Sequence, residues 1–299
     1  MDIKELQQLI IDHQSDIAFV IGQGVHNYPY LTKNLSWNEL LKQLWQELNF
    51  QNADRLRKVT NMYDFIHNPD LINDKKTNIN KEIARLMKKR EPKLVHQYIV
   101  SRIKKLNAPI LTTIFDETLS KTFNYKRFIL DQKSFNAYYP WTVYHAESPL
   151  SDPLQGFGIW YINGMIHYPS SLIYSKQQCY KLTNRFLSLI DSLDQEDCFN
   201  KPNNIVLNSW INILFNKSLF VFGMGNEIQD DFLSFILYAR ASYYKCFPEK
   251  KHKSWYVCHA LSPIAEENTV RSFKKKDFEI IELNSTKDVY ENLWLDLKL

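Results

Sequence analysis

Apolar residues at positions 3, 6, 9 and 10 fall on one face of a helix, which the pattern predicts over 2–15. The run Ile17-Ala-Phe-Val-Ile21 that follows is apolar throughout, and Ser218-Leu-Phe-Val-Phe222 repeats that character late in the chain. Continuous apolar runs of this length read as strands buried on both faces, the mark of a parallel sheet. Further strands are predicted at 109–113, 254–259 and 278–283, with short β candidates at 138–144 and 158–162. Two capping boxes open helices: Ser36-Trp-Asn-Glu39 starts one ending near Asn49, and Ser175-Lys-Gln-Gln178 starts one running to about 190. The stretch 204–216 reads as a helix feeding the strand at 218, and Asp230 and Asp231 occupy the first turn of another that runs to about Tyr244. Between about 50 and 106 the pattern is helical and glycine-free, with a polar break at 68–78, which predicts a helical layer or insertion. A terminal helix closes the chain. Helices alternating with buried strands predict an α/β fold: a doubly wound parallel sheet with a helical insertion, in one domain over 1–299.

Composition narrows the class of partner more than the fold. Hydrophobic content of 44% with 23% charged residues is that of a folded globule, and 7 Trp, 17 Tyr and 18 Phe exclude intrinsic disorder. Lys and Arg number 37 against 33 Asp and Glu, for a net charge of +4, and the basic residues are spread out. That leaves no electrostatic footprint for nucleic acid, and the run Lys274 to Lys276 reads as a solvated turn. The mixed-charge start is unlike a signal or transit peptide, and no apolar run approaches the roughly 20 residues of a membrane helix, so a cytoplasmic protein is expected. Cys179, Cys198, Cys246 and Cys258 stand far apart, which predicts reduced core thiols rather than a zinc ribbon or a disulfide scaffold.

Glycine is the most informative residue type. The chain has seven, where average usage of about 7% would supply roughly 21. They fall in three places: Gly22 and Gly24; Gly156, Gly158 and Gly164; Gly223 and Gly225. Two of these places directly follow the apolar runs at 17–21 and 218–222, at the carboxyl ends of predicted strands, where α/β sheets bind ligands. Gly22-Gln-Gly24 alone is a weak dinucleotide signal, because Asn27 stands where a third small residue belongs and no acidic residue stands at the end of a second strand near position 42. A conventional NAD dehydrogenase is disfavoured, and a tight ligand-free turn explains this motif equally well.

Five blocks carry a family resemblance. They are Phe19-Val-Ile-Gly-Gln-Gly-Val25, Ser36-Trp-Asn-Glu-Leu-Leu41, Ile110-Leu-Thr-Thr-Ile-Phe-Asp116, Tyr161-Ile-Asn-Gly-Met-Ile-His-Tyr-Pro169 with Ser175 to Tyr180, and Leu219-Phe-Val-Phe-Gly-Met-Gly225 with Asp230. In this order, over most of the chain, they resemble bacterial sirtuin-like proteins. The resemblance implies a Rossmann-like NAD-binding fold whose members include protein deacylases and NAD-cleaving enzymes of antiphage systems. It is nearer the second group, since the chain has no place for the deacylases' four-cysteine zinc module. NAD or ADP-ribose is the implied ligand, without a metal, and the implied cofactor-binding residues are Gly22, Gly24, Val25, His26, Asp116, Gly164, Gly223, Gly225 and Asp230. The two catalytic positions depart from the family: its ribose-contacting Asn is Ile114 here, and its catalytic His is Asn163. Ile114 has no hydrogen-bonding group, and Asn163 cannot take up a proton near neutral pH. Losing general-base help alone costs about 10²–10⁴ in rate.

The other polar candidates each have a plain alternative. His26 and His145 read as turn or surface histidines, Asp116 as a helix cap, and Asp230 as a first-turn carboxylate. His167 lies about 13 Å along an extended strand from Asn163, too far to replace the missing base. His13, His67, His96, His252 and His259 are scattered without metal spacing. Three functions follow. The first is a catalytically silent sirtuin-like module that binds a nucleotide or a protein partner, itself included, in bacterial antiviral defence. The second is an NAD glycohydrolase using His26, Asp116 or His145, because oxocarbenium-type cleavage can proceed by strain and electrostatics. The third is an interaction scaffold whose pocket is filled by side chains.

Overall fold

The computed structural model describes residues 1–28, 37–47, 78–173, 175–190, 203–224, 230–259, 265–295 and 297. Helix α1 (Ile3–Asp12) opens on a capping box between Asp2 and Glu5 and leads into β1 (Ile17–Ile21). Helices α2 (Gly24–Asn27), α3 (Trp37–Glu47), α4 (Ile79–Met87) and α5 (Leu94–Lys105) precede β2 (Ile110–Thr112). A short helix α6 (Thr118–Lys121) leads to β3 (Lys126–Ile129), β4 (Val143–Ala146) and β5 (Ile159–Tyr161). Then come α7 (Lys176–Leu187), α8 (Asn204–Leu207), α9 (Trp210–Asn216), β6 (Ser218–Phe222), α10 (Asp230–Cys246), β7 (Ser254–His259), α11 (Ala265–Lys274) and β8 (Glu279–Leu283). A π-helical turn (Asp288–Asn292) and α12 (Leu293–Leu295) follow. Among the described residues, no helix is long and apolar enough to cross a membrane.

The strands form one sheet in the order β3-β4-β5-β2-β1-β6-β7-β8. The six from β5 to β8 pair in parallel, whereas β4 runs antiparallel to both β5 and β3. The sheet is therefore mixed, where a wholly parallel one was expected. The unforeseen β3 has Lys126 and Arg127 exposed, the charged character of an edge strand, and it carries no apolar run to announce itself. The expected strand at 138–144 starts late because Tyr139 to Val143 form a turn, with Trp141 N–H donating to Tyr139 O and Val143 N–H to Pro140 O. The helix expected over 204–216 breaks at Ser209, whose hydroxyl accepts from Ile211 N–H and so starts α9 afresh.

Alternation along β1 divides the core. Ile17, Phe19 and Ile21 face a cluster with Leu6 and Ile10 of α1, Ile99 and Ile103 of α5, and Leu293 and Trp294. Ala18 and Val20 face the opposite cluster, with Phe186 of α7, Trp210 of α9 and Phe232 of α10. Helices thus cover both faces, and α5 belongs to the layer over the sheet. Of the expected helical stretch at about 50–106, the part up to residue 77 lies outside the described residues, as does Ser36, and α4 and α5 form the rest. Scarce glycine is replaced at helix ends: Asn107, Asn124 and Asp277 take the left-handed conformation there. At each, the next residue's N–H reaches back five residues, as Ala108 does to Ile103 O, closing a Schellman motif.

Side-chain chemistry in the core is less regular than its packing. Thr142 is buried, and its Oγ1 has no hydrogen-bond partner among the described residues. Thr142→Val, nearly isosteric, is expected to leave the unfolding free energy unchanged or raise it by up to about 1 kcal/mol in urea titrations, since it deletes a desolvated hydroxyl. A loss above about 1 kcal/mol would mean the hydroxyl is bonded in solution. Cys258 alone of the described cysteines is a core thiol: Cys179 is partly exposed and Cys246 exposed, while Cys198 lies outside the described residues. Lys276, expected in a solvated turn, is buried with its ammonium on Ser272.

Candidate functional site

The turns after β1 and β6 lie against each other. Gly22 N–H donates to Phe222 O at 3.0 Å, and Gly24 N–H donates to Gly223 O at 2.8 Å. A Cβ on Gly22 would overlap the Gly223 carbonyl, and one on Gly24 would overlap the Tyr290 hydroxyl. Gly223 itself has φ +72, in the left-handed region. The close approaches that require glycine here are thus made by the protein's own carbonyl and hydroxyl. In a dinucleotide turn the second glycine lets the backbone approach the pyrophosphate, and at Gly24 the Tyr290 hydroxyl takes that place. Val25 is fully buried in the core. Gly225 lies outside the described residues. Asp230 begins α10, as expected of a first-turn carboxylate, and its side chain is not among those described.

The ends of β2 and β5 are joined as tightly. The Thr112 hydroxyl donates to Ile21 O at 2.9 Å and accepts from Ile114 N–H at 3.1 Å. Ile114 is 1% exposed and packs in the same cluster as Val25 and Leu119. Asn163 is 0% exposed; its Nδ2 donates to Thr113 O at 3.3 Å, and its backbone carbonyl accepts from Ile173 N–H. Gly164, at φ +88, faces the Ser171 backbone carbonyl so closely that a Cβ would overlap it. Both positions equated with the family's catalytic pair are interior, and Gly164 is explained by a neighbouring strand of chain.

Two of the predicted residues do meet. His26 Nε2 lies 3.1 Å from Asp116 Oδ2, and both side chains are buried. Neither is the surface group the sequence suggested for His26. The helix-capping reading of Asp116 holds in part, since its Oδ1 accepts from Thr118 N–H at 2.9 Å. Its Oδ2 also accepts from Arg90 Nη1 at 2.8 Å. On the other side, His26 Nδ1 is 3.0 Å from His96 Nε2, and His96 Nδ1 accepts from Lys93 N–H at 2.8 Å. Because His26 turns its two ring nitrogens to opposite neighbours, these groups form a chain and not a cage around a metal. Among the described residues, no group of three or more His, Cys, Asp or Glu could hold a metal ion.

Electrostatics follow from that burial. Burial alone would raise the Asp116 pKa, but His26 and Arg90 outweigh it and hold the carboxyl well below the usual range. Burial drives His96 well below the ordinary histidine value. Lys93 is brought down to about 8 by burial and by Arg90. Sequence reasoning missed Arg90, Lys93 and His96. The one available signal was His96 in the first turn of a helix, where a ring nitrogen can cap the backbone.

The remaining histidines stand apart. His145 is buried on β4, its Nε2 3.9 Å from Glu117 Oε1, and burial with Arg127 and His167 pushes it down to about 3. His167 is exposed, with its ring against Tyr168, whereas Asn163 is buried. No family model matches the chain, and no curated protein matches it.

Proposed function

We propose that this chain is a catalytically silent, sirtuin-like module with a Rossmann-like, doubly wound sheet, and that it acts by binding a partner in bacterial antiviral defence. Its six parallel strands, numbered in chain order, lie 3-2-1-4-5-6 across the sheet, which supports the Rossmann-like reading. The observation that supports the silence is that Ile114 and Asn163, neither of which can take up a proton near neutral pH, are both buried. The defence setting comes from the resemblance.

A second reading, nucleotide binding without cleavage, is favoured by one feature. The turns at Gly22 and Gly223 meet where the strand order reverses, and α/β sheets place their ligands at such reversals. It requires Tyr290 to leave the glycine turn.

Prolonged incubation with NAD at high protein concentration, read as released nicotinamide, tests the silence; thermal shift with NAD and ADP-ribose tests the second reading. Expected are no release above the protein-free control and no shift. A shift without release would replace the partner reading with nucleotide binding. Release abolished by His145→Ala or His26→Ala would overturn the silence in favour of an NAD glycohydrolase. The double variant Ile114→Asn with Asn163→His is likewise expected to gain no cleavage, and to lose stability by placing an amide in apolar packing. Cleavage gained by that folded variant would mean the two positions reach ligand.

A further inference from the structure

Three segments far apart in sequence are tied together behind β1: residues 24–28, the connection 90–96, and the turn at 116–118. Proton positions along the chain of contacts follow from its one fixed donor. Lys93 N–H is a backbone donor, so His96 Nδ1 carries no proton and His96 Nε2 does. That Nε2–H points at His26 Nδ1, which must accept, leaving the His26 proton on Nε2 toward Asp116. Both rings are therefore neutral. A second proton on His96 would meet the Lys93 N–H, and one on His26 would meet the His96 Nε2–H. The Lys93 ammonium reinforces the tie by donating to His26 O at 2.8 Å and Tyr28 O at 3.0 Å, the carbonyls that end α2.

We propose that the His26–His96 pair is an acid-sensing latch: with both rings neutral it fastens the chain leaving β1 to the 90–96 connection, and protonation of His96 releases residues 24–28. The inference is independent of what the module binds. Facing the pair are Asp116 from the turn after β2, and Arg90 and Lys93 from the 90–96 connection. Tyr28, at the end of the latched segment, donates to Glu291 of the π-helical turn at 3.1 Å. The direction of the effect follows from linkage. Burial depresses His96 in the latched state, whereas a released ring titrates near 6.5. The latch is then fully favoured above about pH 6.5 and weakens as pH falls, by about tenfold per pH unit once the released His96 takes up a proton. Asp116 stays ionised and Lys93 stays mostly charged between pH 7.0 and 5.5, so neither contributes a change in that window.

Hydrogen exchange of the full chain at pH 7.0 and 5.5, corrected for intrinsic rates, tests this. Expected is about tenfold faster exchange of residues 24–28 at pH 5.5, with the amides of β6 equally protected at both. His96→Asn keeps an acceptor for Lys93 N–H but cannot titrate, so its two pH values should agree. Ring ¹⁵N NMR of the unmodified protein at pH 7.0 should show both histidines neutral and protonated at Nε2, a readout that needs no variant. An imidazolium at His26 at pH 7.0, unchanged exchange at 24–28, or simultaneous loss of protection in β6 would each overturn the latch.

Discussion

Asp116→Ala is expected to cost about 3–5 kcal/mol of unfolding free energy, the loss typical when one partner of a buried ion pair is removed. Asp116 has no exposed side-chain surface, and the guanidinium that it neutralises, on Arg90, is 9% exposed. The same deletion takes the acceptor from Thr118 N–H at the start of α6. Asp116→Asn should cost a similar amount: its amide oxygen can still accept from Thr118 N–H, but the Nδ2 that replaces Oδ2 turns its hydrogens toward the Arg90 and His26 donors. Urea titrations at neutral pH measure both. A loss below about 1 kcal/mol for the alanine variant would mean that Arg90 finds solvent readily, and the segments are not held by this carboxylate. The expected cost also bears on function: a carboxylate whose oxygens already serve Arg90, His26 and Thr118 is committed to the fold, not to a ribose.

Gly164→Ala is expected to cost about 3 kcal/mol or more, or to prevent folding. A left-handed backbone costs an L-residue about 1–2 kcal/mol, and overfilling a packed site adds about 1–3 kcal/mol. The obstacle is the Ser171 backbone carbonyl, which cannot swing aside. Ser171 is itself fixed, since its hydroxyl accepts from Met165 N–H at 3.0 Å and donates to Tyr168 O at 2.7 Å. Gly156→Ala is the control. It has a similar φ of +94, but its Cβ would meet only the end of the Leu150 side chain, at 2.9 Å. Equal losses for the two variants, followed by urea or thermal unfolding, would show that backbone conformation alone is at stake and that the contact with Ser171 is loose.

Legibility differed by the range of the interaction. The strands β1 and β6 begin and end where the runs do, because a strand buried on both faces is filled almost wholly by apolar side chains; the one polar residue, Ser218, donates its hydroxyl to Asp16. The capping box at Ser175 and Gln178 forms as read, since it is complete within four residues. The antiparallel edge β3 was not legible: its pairing with β4 depends on a turn and on partners 14 or more residues away. For the candidate site, each of His26 and Asp116 carried two readings that local sequence could not separate. Their contact spans about 90 residues of chain, and the groups that complete it, Arg90, Lys93 and His96, belong to no recognisable motif.

By itself, then, the sequence determined an α/β chain with glycine turns at the ends of two buried strands; that Ile114 and Asn163 stand at a family's catalytic positions is what the resemblance implies. Those are properties of periodicity, of backbone conformation and of residue identity. Only the tertiary structure decided what the glycines make room for, and the answer is the Gly223 carbonyl, the Tyr290 hydroxyl and Ser171. Only it decided that Ile114 and Asn163 lie inside the core, and that His26 and Asp116 are linked within a buried network. The reason is physical: the space beside a glycine and the partner of a buried charge are set by atoms remote in sequence, and no local pattern encodes which of them will arrive.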